Sequence, residues 1–167
     1  VITGAPCSGK TAVIHLLEQR GHKVVHEVAR AHIDDELMKG KTLTEIKADE
    51  WAFERHILME KVRIESTLKK DEIIFFDRGV PDSIAYYKLN GLDSAEAFQK
   101  STEVRYQNVL LFERLGFLTD PARSENEKTA QRLSRLIEES YQSLGYDIIH
   151  VPLLSVEERT EFVLERL

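Results

Sequence analysis

Residues 4–11 read GAPCSGKT, and Gly4, Gly9, Lys10 and Thr11 stand at the spacing G-x-x-x-x-G-K-[ST]. Glycines at these intervals let a backbone curl its amide hydrogens inward around phosphate oxygens. A helix starting at Lys10 would turn its positive N-terminal end toward the same anion. On this reading Gly4, Ala5, Pro6, Cys7, Ser8, Gly9, Lys10 and Thr11 form a cup for the phosphates of ATP. Lys10 adds a mobile charge toward the β and γ phosphates, and the Thr11 hydroxyl is a ligand for Mg²⁺. A tight strand-to-helix turn would account for the glycines but not for Lys10 and Thr11. Cys7 occupies a variable position, either as a small filler or as a thiolate made reactive by Lys10 and the helix end.

A second acidic group is needed to hold the ion from the other side. The run EIIFFD ends a buried apolar strand in Asp77, which puts a carboxylate at the C-terminal edge of a sheet, where open α/β folds bind ligands. Asp77 is therefore the expected metal partner of Thr11; the plainer alternative is a helix-capping or solvated aspartate. Its neighbour is Arg78 rather than a water-orienting glutamate, and the chain has neither an N-K-x-D nor an LSGGQ segment. These absences favour transfer to a bound acceptor over transfer to water. Glu27 closes the segment KVVHE and is expected on the same rim. If its strand lies beside that of Asp77, about 4.8 Å away, one carboxylate serves the metal and the other takes a proton from, or orients, an acceptor hydroxyl. Glu27 could equally be a strand-end charge or a partner for Arg30.

A phosphoryl transition state spreads negative charge over its oxygens and calls for cations. Arg78 and Arg123 are the first candidates, with Arg114 in the same loop as Arg123 and the helical Arg132 and Arg135 ranked lower as a solvated face. The six histidines show no metal-ligand spacing such as H-E-x-x-H and are given no role. Trp51, Phe53, Tyr86 and Tyr87 read as core residues on helices, with Tyr86 or Tyr87 nearest the site.

The elements that must position these groups are readable from periodicity. Val13, Ile14, Leu16 and Leu17 recur at helical spacing over 10–20, and Gly21 gives the stop. A strand is expected over KVVHEV, a weak helix over 29–38, and one long helix over 44–70. EIIFFD is the next strand, and its apolar run suits a parallel sheet covered on both faces. Pro81 opens a helix over DSIAYYKL, followed by a helix over 94–105 and a strand over NVLLFE. Residues 113–128 lack periodicity and read as a functional loop, a lid. A helix over 129–144, a strand over DIIHVP and a helix over 156–167, capped by Ser155 with Glu158, complete the chain. Alternating strands and helices without repeat or linker imply an α/β fold with a parallel sheet, residues 1–167 forming one domain.

The bulk properties fit. A chain of 167 residues can bury roughly 70% of its unfolded surface. It is 42% apolar and 31% charged, with a mean hydropathy of −0.33. Nothing reaches the run of about 18 apolar residues that reads as a membrane span. The net charge of −6 disfavours a nucleic-acid partner, whose phosphates need a basic surface, and points to a small-molecule acceptor. The single cysteine excludes an internal disulfide and fits a cytoplasmic setting. The chain opens on the tail of a first strand, so a few further residues are expected upstream.

Taken together, GAPCSGKT, HEVAR, FFDRGVPDSIAYY and DPARSE make the chain resemble the P-loop kinase-like AAA domains, the family that includes the nicotinamide riboside kinase domain of NadR-type proteins. Gly4, Gly9, Lys10 and Thr11 match that family's ATP loop, Asp77 and Arg78 its DRG motif, and Glu27 and Arg30 its E-x-x-R segment. Asp82 falls in the same block as a structural or substrate-facing residue. The resemblance implies a three-layer P-loop kinase fold with a five-stranded parallel sheet in the order 2-3-1-4-5. It further implies an ATP- and Mg²⁺-dependent kinase of a small hydroxylated, nucleoside-like metabolite. The alternative is an ATP- or GTP-binding switch acting through a protein partner.

Overall fold

The computed structural model describes residues 1–69, 71–113 and 127–167. In chain order the elements are β1 Ile2–Thr3, α1 Lys10–Gln19, β2 Lys23–Val25, α2 Val28–Met38, α3 Leu43–Ile46, α4 Glu50–Thr67 and β3 Ile74–Phe76. They continue with α5 Asp82–Leu89, α6 Ala95–Thr102, β4 Val109–Phe112, α7 Glu127–Ser143, β5 Ile148–Val151 and α8 Val156–Leu164.

All pairings are parallel. One ladder runs β1-β4-β5, with Ile2 opposite Leu110 and Leu110 opposite Ile149, and a second pairs β2 with β3, Val25 opposite Phe76. A bridge between Ile2 and Asp77 joins the two. There the Asp77 amide donates to Val25 O at 2.8 Å and the Arg78 amide to Ile2 O at 3.0 Å. The resulting order is β2-β3-β1-β4-β5, as expected, but the seam between β3 and β1 is this single bridge rather than a continued ladder. Asp77 and Arg78 are therefore fixed by the backbone of two neighbouring strands.

Alternation along β4 shows why the sheet needs helices on both faces. Leu110 and Phe112 pack with Val13, Ile14 and Leu17 of α1 and Val163 of α8. Val109 and Leu111 pack on the other side with Ala85 of α5 and Leu133, Ile137 and Tyr141 of α7. Three layers follow, with α4 joined to α5 through Leu58, Ile84 and Tyr87 and to α2 through Phe53, Ile57 and Val28.

Several local expectations are corrected. The stretch 44–70 is two helices, because a side-chain cap at Asp49 starts a new one after Ile46. Thr42 and Glu45 close a capping box around α3, and Asp49 accepts from the Ala52 amide at 2.9 Å to start α4. A cap satisfies amides that would otherwise be orphaned, and so competes with continuation of the helix. The KVVHEV strand stops at Val25, leaving Glu27 as the N-cap of α2. Pro81 is an N-cap rather than the first helical residue. Trp51 is 52% exposed and not core, whereas Tyr87 is buried. Residues 114–126, with Arg114, Arg123 and most of the expected lid over 113–128, lie outside the described residues.

Candidate active site

Thr3 ends β1, and the chain turns at Gly4, whose φ is 137°. A Cβ there would lie 2.7 Å from Phe112 O at the end of β4, so only glycine allows the loop to pass. Gly9, with φ 81°, delivers the chain into α1, which has neither a side-chain N-cap bond nor an acidic residue in its first turn. Its leading amides are thus free of a competing side-chain acceptor, as an anion site requires. Arg159 of α8 braces the loop from beneath. Its Nη1 donates to Ser8 O at 2.7 Å and its Nε to Pro152 O at 3.0 Å, and the guanidinium lies over the Phe112 ring.

Lys10 is buried and folds onto the loop, Nζ donating to Ala5 O and Ser8 Oγ, both at 3.0 Å. Burial, and next the nearby Arg78 charge, lower its pKa to about 7 against the pull of Asp77, Glu27 and Asp82. A polyanion arriving beside it would restore the charged form.

Thr11 Oγ1 donates to Asp77 Oδ2 at 3.4 Å, so β3 and α1 bring the two expected metal ligands together. Asp77 is buried, and its Oδ1 has no hydrogen-bond partner among the described residues. Burial raises its pKa most, Lys10 opposes that rise, and the Glu27 charge adds to it. A buried carboxylate oxygen without a donor fits a cation or its bound water, so Thr11 and Asp77 suit Mg²⁺.

Arg78 organises the rest of the rim. Its φ is 69°, a left-handed conformation that costs a non-glycine residue about 1–2 kcal/mol. The side chain returns that cost through three contacts: Nη1 donates to Gly4 O at 2.9 Å and to Asp82 Oδ1 at 3.2 Å, and Nε donates to Glu27 Oε1 at 3.3 Å. Tyr86 lies with its ring centre 5.4 Å from the guanidinium. Glu27 keeps 30% of its side chain exposed. Burial pushes its pKa up, but Arg78, Lys10 and Lys61 more than offset this and hold it below the usual carboxylate range. It is an ionised carboxylate open to solvent beside the loop.

Arg30 is not Glu27's partner. It is exposed and donates to Asp34 at 3.0 Å. Arg132 and Arg135 are exposed on α7, the solvated face expected of helical arginines.

A family model described as an AAA domain matches residues 1–159. The chain belongs to the AAA domain family. No curated protein sequence matches it. Among solved structures, a deoxyadenosine kinase from M. mycoides with the products dCMP and a flexible dCDP bound aligns at TM-score 0.70 and 17% identity, over 99% of this chain and 96% of that one. The NadR protein in complex with NR aligns at TM-score 0.70 and 16% identity, over 99% of this chain and 48% of that one. A thymidylate kinase from Ehrlichia chaffeensis aligns at TM-score 0.65 and 15% identity, over 98% of this chain and 95% of that one. At such identities the likeness shows a shared fold.

The AAA domain holds groups around this site that spacing alone did not reveal. Asp82 is fully buried and accepts from Thr3 Oγ1 at 2.6 Å, Arg78 Nη1 at 3.2 Å, the Gly79 amide at 3.0 Å and Tyr141 OH at 2.7 Å. Burial raises its pKa, yet Arg78, Lys61 and the two hydroxyls more than offset this and leave it lowered. Its surroundings are saturated, which makes it a structural anchor. Lys61 of α4 is buried and donates to Gly79 O at 3.1 Å and Ser83 Oγ at 3.3 Å. Gly79 meets Tyr106 so closely that a Cβ would lie 2.5 Å from the phenol oxygen. No helix among the described residues is long and apolar enough to cross a membrane. A cavity of about 1240 Å³ lies near Glu65, Phe76 and Tyr106 and is lined by none of Lys10, Thr11, Glu27, Asp77 or Arg78. The chemistry assigns the site, not the cavity volume.

Proposed function

We propose that this AAA domain, residues 1–167 as one nucleotide-binding unit, is a kinase that transfers the γ-phosphoryl group of ATP to a hydroxyl of a small, nucleoside-like metabolite. Mg²⁺ is its ion and the cytoplasm its setting. The observation that carries the reading is the buried, unpartnered Oδ1 of Asp77 beside the Thr11 hydroxyl, at the mouth of the 4–11 loop. Leaving such an oxygen unsatisfied costs about 1–3 kcal/mol, and a hydrated cation satisfies it.

Each group then has a task. Backbone amides of residues 4–11 and the start of α1 bind the phosphates, and Lys10 neutralises the oxygens where charge gathers. Mg²⁺ held by Thr11 and Asp77 supplies charge stabilisation to the transferring group when bound. Glu27, ionised and open to solvent, accepts the proton of the acceptor hydroxyl as that oxygen bonds to the γ-phosphorus and the bridging oxygen departs with ADP. Arg78 holds Glu27 in place and adds positive charge to the rim. The acceptor class draws support from the names of the fold relatives, a deoxyadenosine kinase described with dCTP or with dATP, NadR with NR, and a thymidylate kinase.

The test is product formation. The protein is incubated with ATP, Mg²⁺ and a panel of nucleosides, and ADP and phosphorylated product are quantified by mass spectrometry. The expected result is stoichiometric ADP and monophosphate from at least one nucleoside, reduced about 10²-fold or more by Asp77→Asn. Tight nucleotide binding with no acceptor phosphorylated, and capture of a protein only in the nucleotide-bound state, would replace this reading with that of a switch.

A further inference from the structure

The histidines show no metal spacing along the chain, but the fold brings two of them to one carboxylate. His15 and Glu18 are three apart on α1 and so share a face. His26 arrives from the β2–α2 connection, immediately before Glu27. His26 Nε2 lies 3.1 Å from Glu18 Oε1, His15 Nδ1 lies 3.7 Å from Glu18 Oε2, and the two imidazole centroids are 5.4 Å apart. One ligand atom from each residue falls within 4.8 Å of the others. Bonds of about 2.0–2.2 Å to a tetrahedral ion place ligand atoms about 3.3–3.6 Å apart, so the three groups have little distance to close.

We propose that His15, Glu18 and His26 form a binding site for a divalent transition metal of the zinc type, one that ties the helix following the phosphate loop to the turn carrying Glu27. Two imidazoles with one carboxylate are the donor set of such ions and not of Mg²⁺, which prefers oxygen. The side chains are about half exposed, 57% for His15, 50% for Glu18 and 45% for His26. An ion pair so exposed adds little stability by itself, so little is lost when an ion takes over the contacts. The site is separate from Thr11 and Asp77 and does not depend on the nucleotide reading.

Zn²⁺ alone is the probe, titrated calorimetrically into the intact chain with Mg²⁺ in excess to occupy oxygen-rich sites, and melting is followed in parallel. One Zn²⁺ should bind with micromolar affinity and raise the melting temperature by mass action. His15→Ala and His26→Ala should each weaken binding at least about tenfold and abolish the thermal shift. The control is His32→Ala, which removes one ring of the other close imidazole pair, His32 and His56 at 4.2 Å, and should change neither readout. No micromolar binding by the unaltered chain, or binding that survives in both His15→Ala and His26→Ala, would overturn the proposal.

Discussion

Replacing Asp82 with asparagine separates a structural anchor from a substrate contact. Its Oδ1 accepts from Thr3 Oγ1 and Arg78 Nη1, and its Oδ2 from the Gly79 amide and Tyr141 OH. The two hydroxyls can turn to accept instead of donate, but a guanidinium N–H and a backbone amide cannot. Whichever way an asparagine amide is oriented, its NH₂ group faces one of those fixed donors. The variant loses a hydrogen bond to a charged acceptor, worth about 1.5–3 kcal/mol, and strands a buried donor at about 1–3 kcal/mol. It also leaves Arg78 with the partly exposed Glu27 as its remaining paired carboxylate. A loss of about 4 kcal/mol is expected, within the range for breaking a buried ion pair. For a chain of this size that corresponds to about 8–16 °C in melting temperature. Urea unfolding gives the assay: the midpoint should fall with the slope unchanged, and Tyr141→Phe, which removes only a hydroxyl, should cost far less. The acid limb supplies an independent check. Asp82's folded pKa is lowered, so its contribution is complete above the ordinary aspartate range and disappears as pH falls through the folded value. The difference in stability between the two proteins should therefore shrink in acid. An unfolding free energy within about 1 kcal/mol of the parent, or a difference that persists unchanged at low pH, would refute the anchor role.

Lys10, with a folded pKa of about 7 against an ordinary 10.5, binds its proton more tightly in the unfolded chain, so without nucleotide it adds stability as pH rises through that interval. Lys10→Met should remove that increment, and parallel stability–pH curves for the two proteins would contradict the assignment. Glu27→Gln should lower turnover with little change in nucleotide affinity measured by calorimetry, whereas loss of folding would make Glu27 a structural partner of Arg78. Arg159→Met keeps an aliphatic stem but gives up the bonds to Ser8 O and Pro152 O and the guanidinium contact with Phe112. Weaker nucleotide binding together with a lower melting temperature is expected, and unchanged affinity would show that the loop holds its shape unaided.

What was legible in the sequence follows from how each feature is encoded. The loop, Thr11 and Asp77 are written in short-range spacing and strand composition, and the fold places them together. Glu27 was assigned to the right rim but to the wrong element, since its backbone leaves the strand after Val25 and caps α2. The cation it meets is not the nearest one in sequence, for a related reason. Arg30 is three residues away, whereas Arg78 is 51 away and meets Glu27 only because β2 and β3 are neighbours. Arg159 reaches Ser8 across 151 residues, a separation that no local pattern records. The break between α3 and α4 is hidden because apolar periodicity continues across it while Asp49 acts through side-chain geometry. The strand order came from the family resemblance, since periodicity says which segments are strands but not which are neighbours.

The left-handed conformation of Arg78 explains how adjacent residues serve one rim. In a regular strand Asp77 and Arg78 would project to opposite faces. Here Asp77 reaches Thr11 while Arg78 reaches Gly4, Glu27 and Asp82, so the guanidinium joins the 4–11 loop to the Glu27 carboxylate. The cost of about 1–2 kcal/mol is offset locally: the Arg78 amide bonds to Ile2 O, Asp82 holds the guanidinium, and Gly79 lets the chain pass against Tyr106. Tyr106 in turn accepts from the Val80 amide at 2.9 Å and donates to Glu65 at 2.6 Å. The DRG segment is thus one mechanical unit in which the glycine supplies clearance, the arginine linkage and the aspartate a buried, unpartnered oxygen beside Thr11. Its contacts reach Ile2 of β1, Val25 of β2, Lys61 of α4 and Gly4 of the loop, so a motif of three residues constrains β1, β2, α4 and the 4–11 loop together.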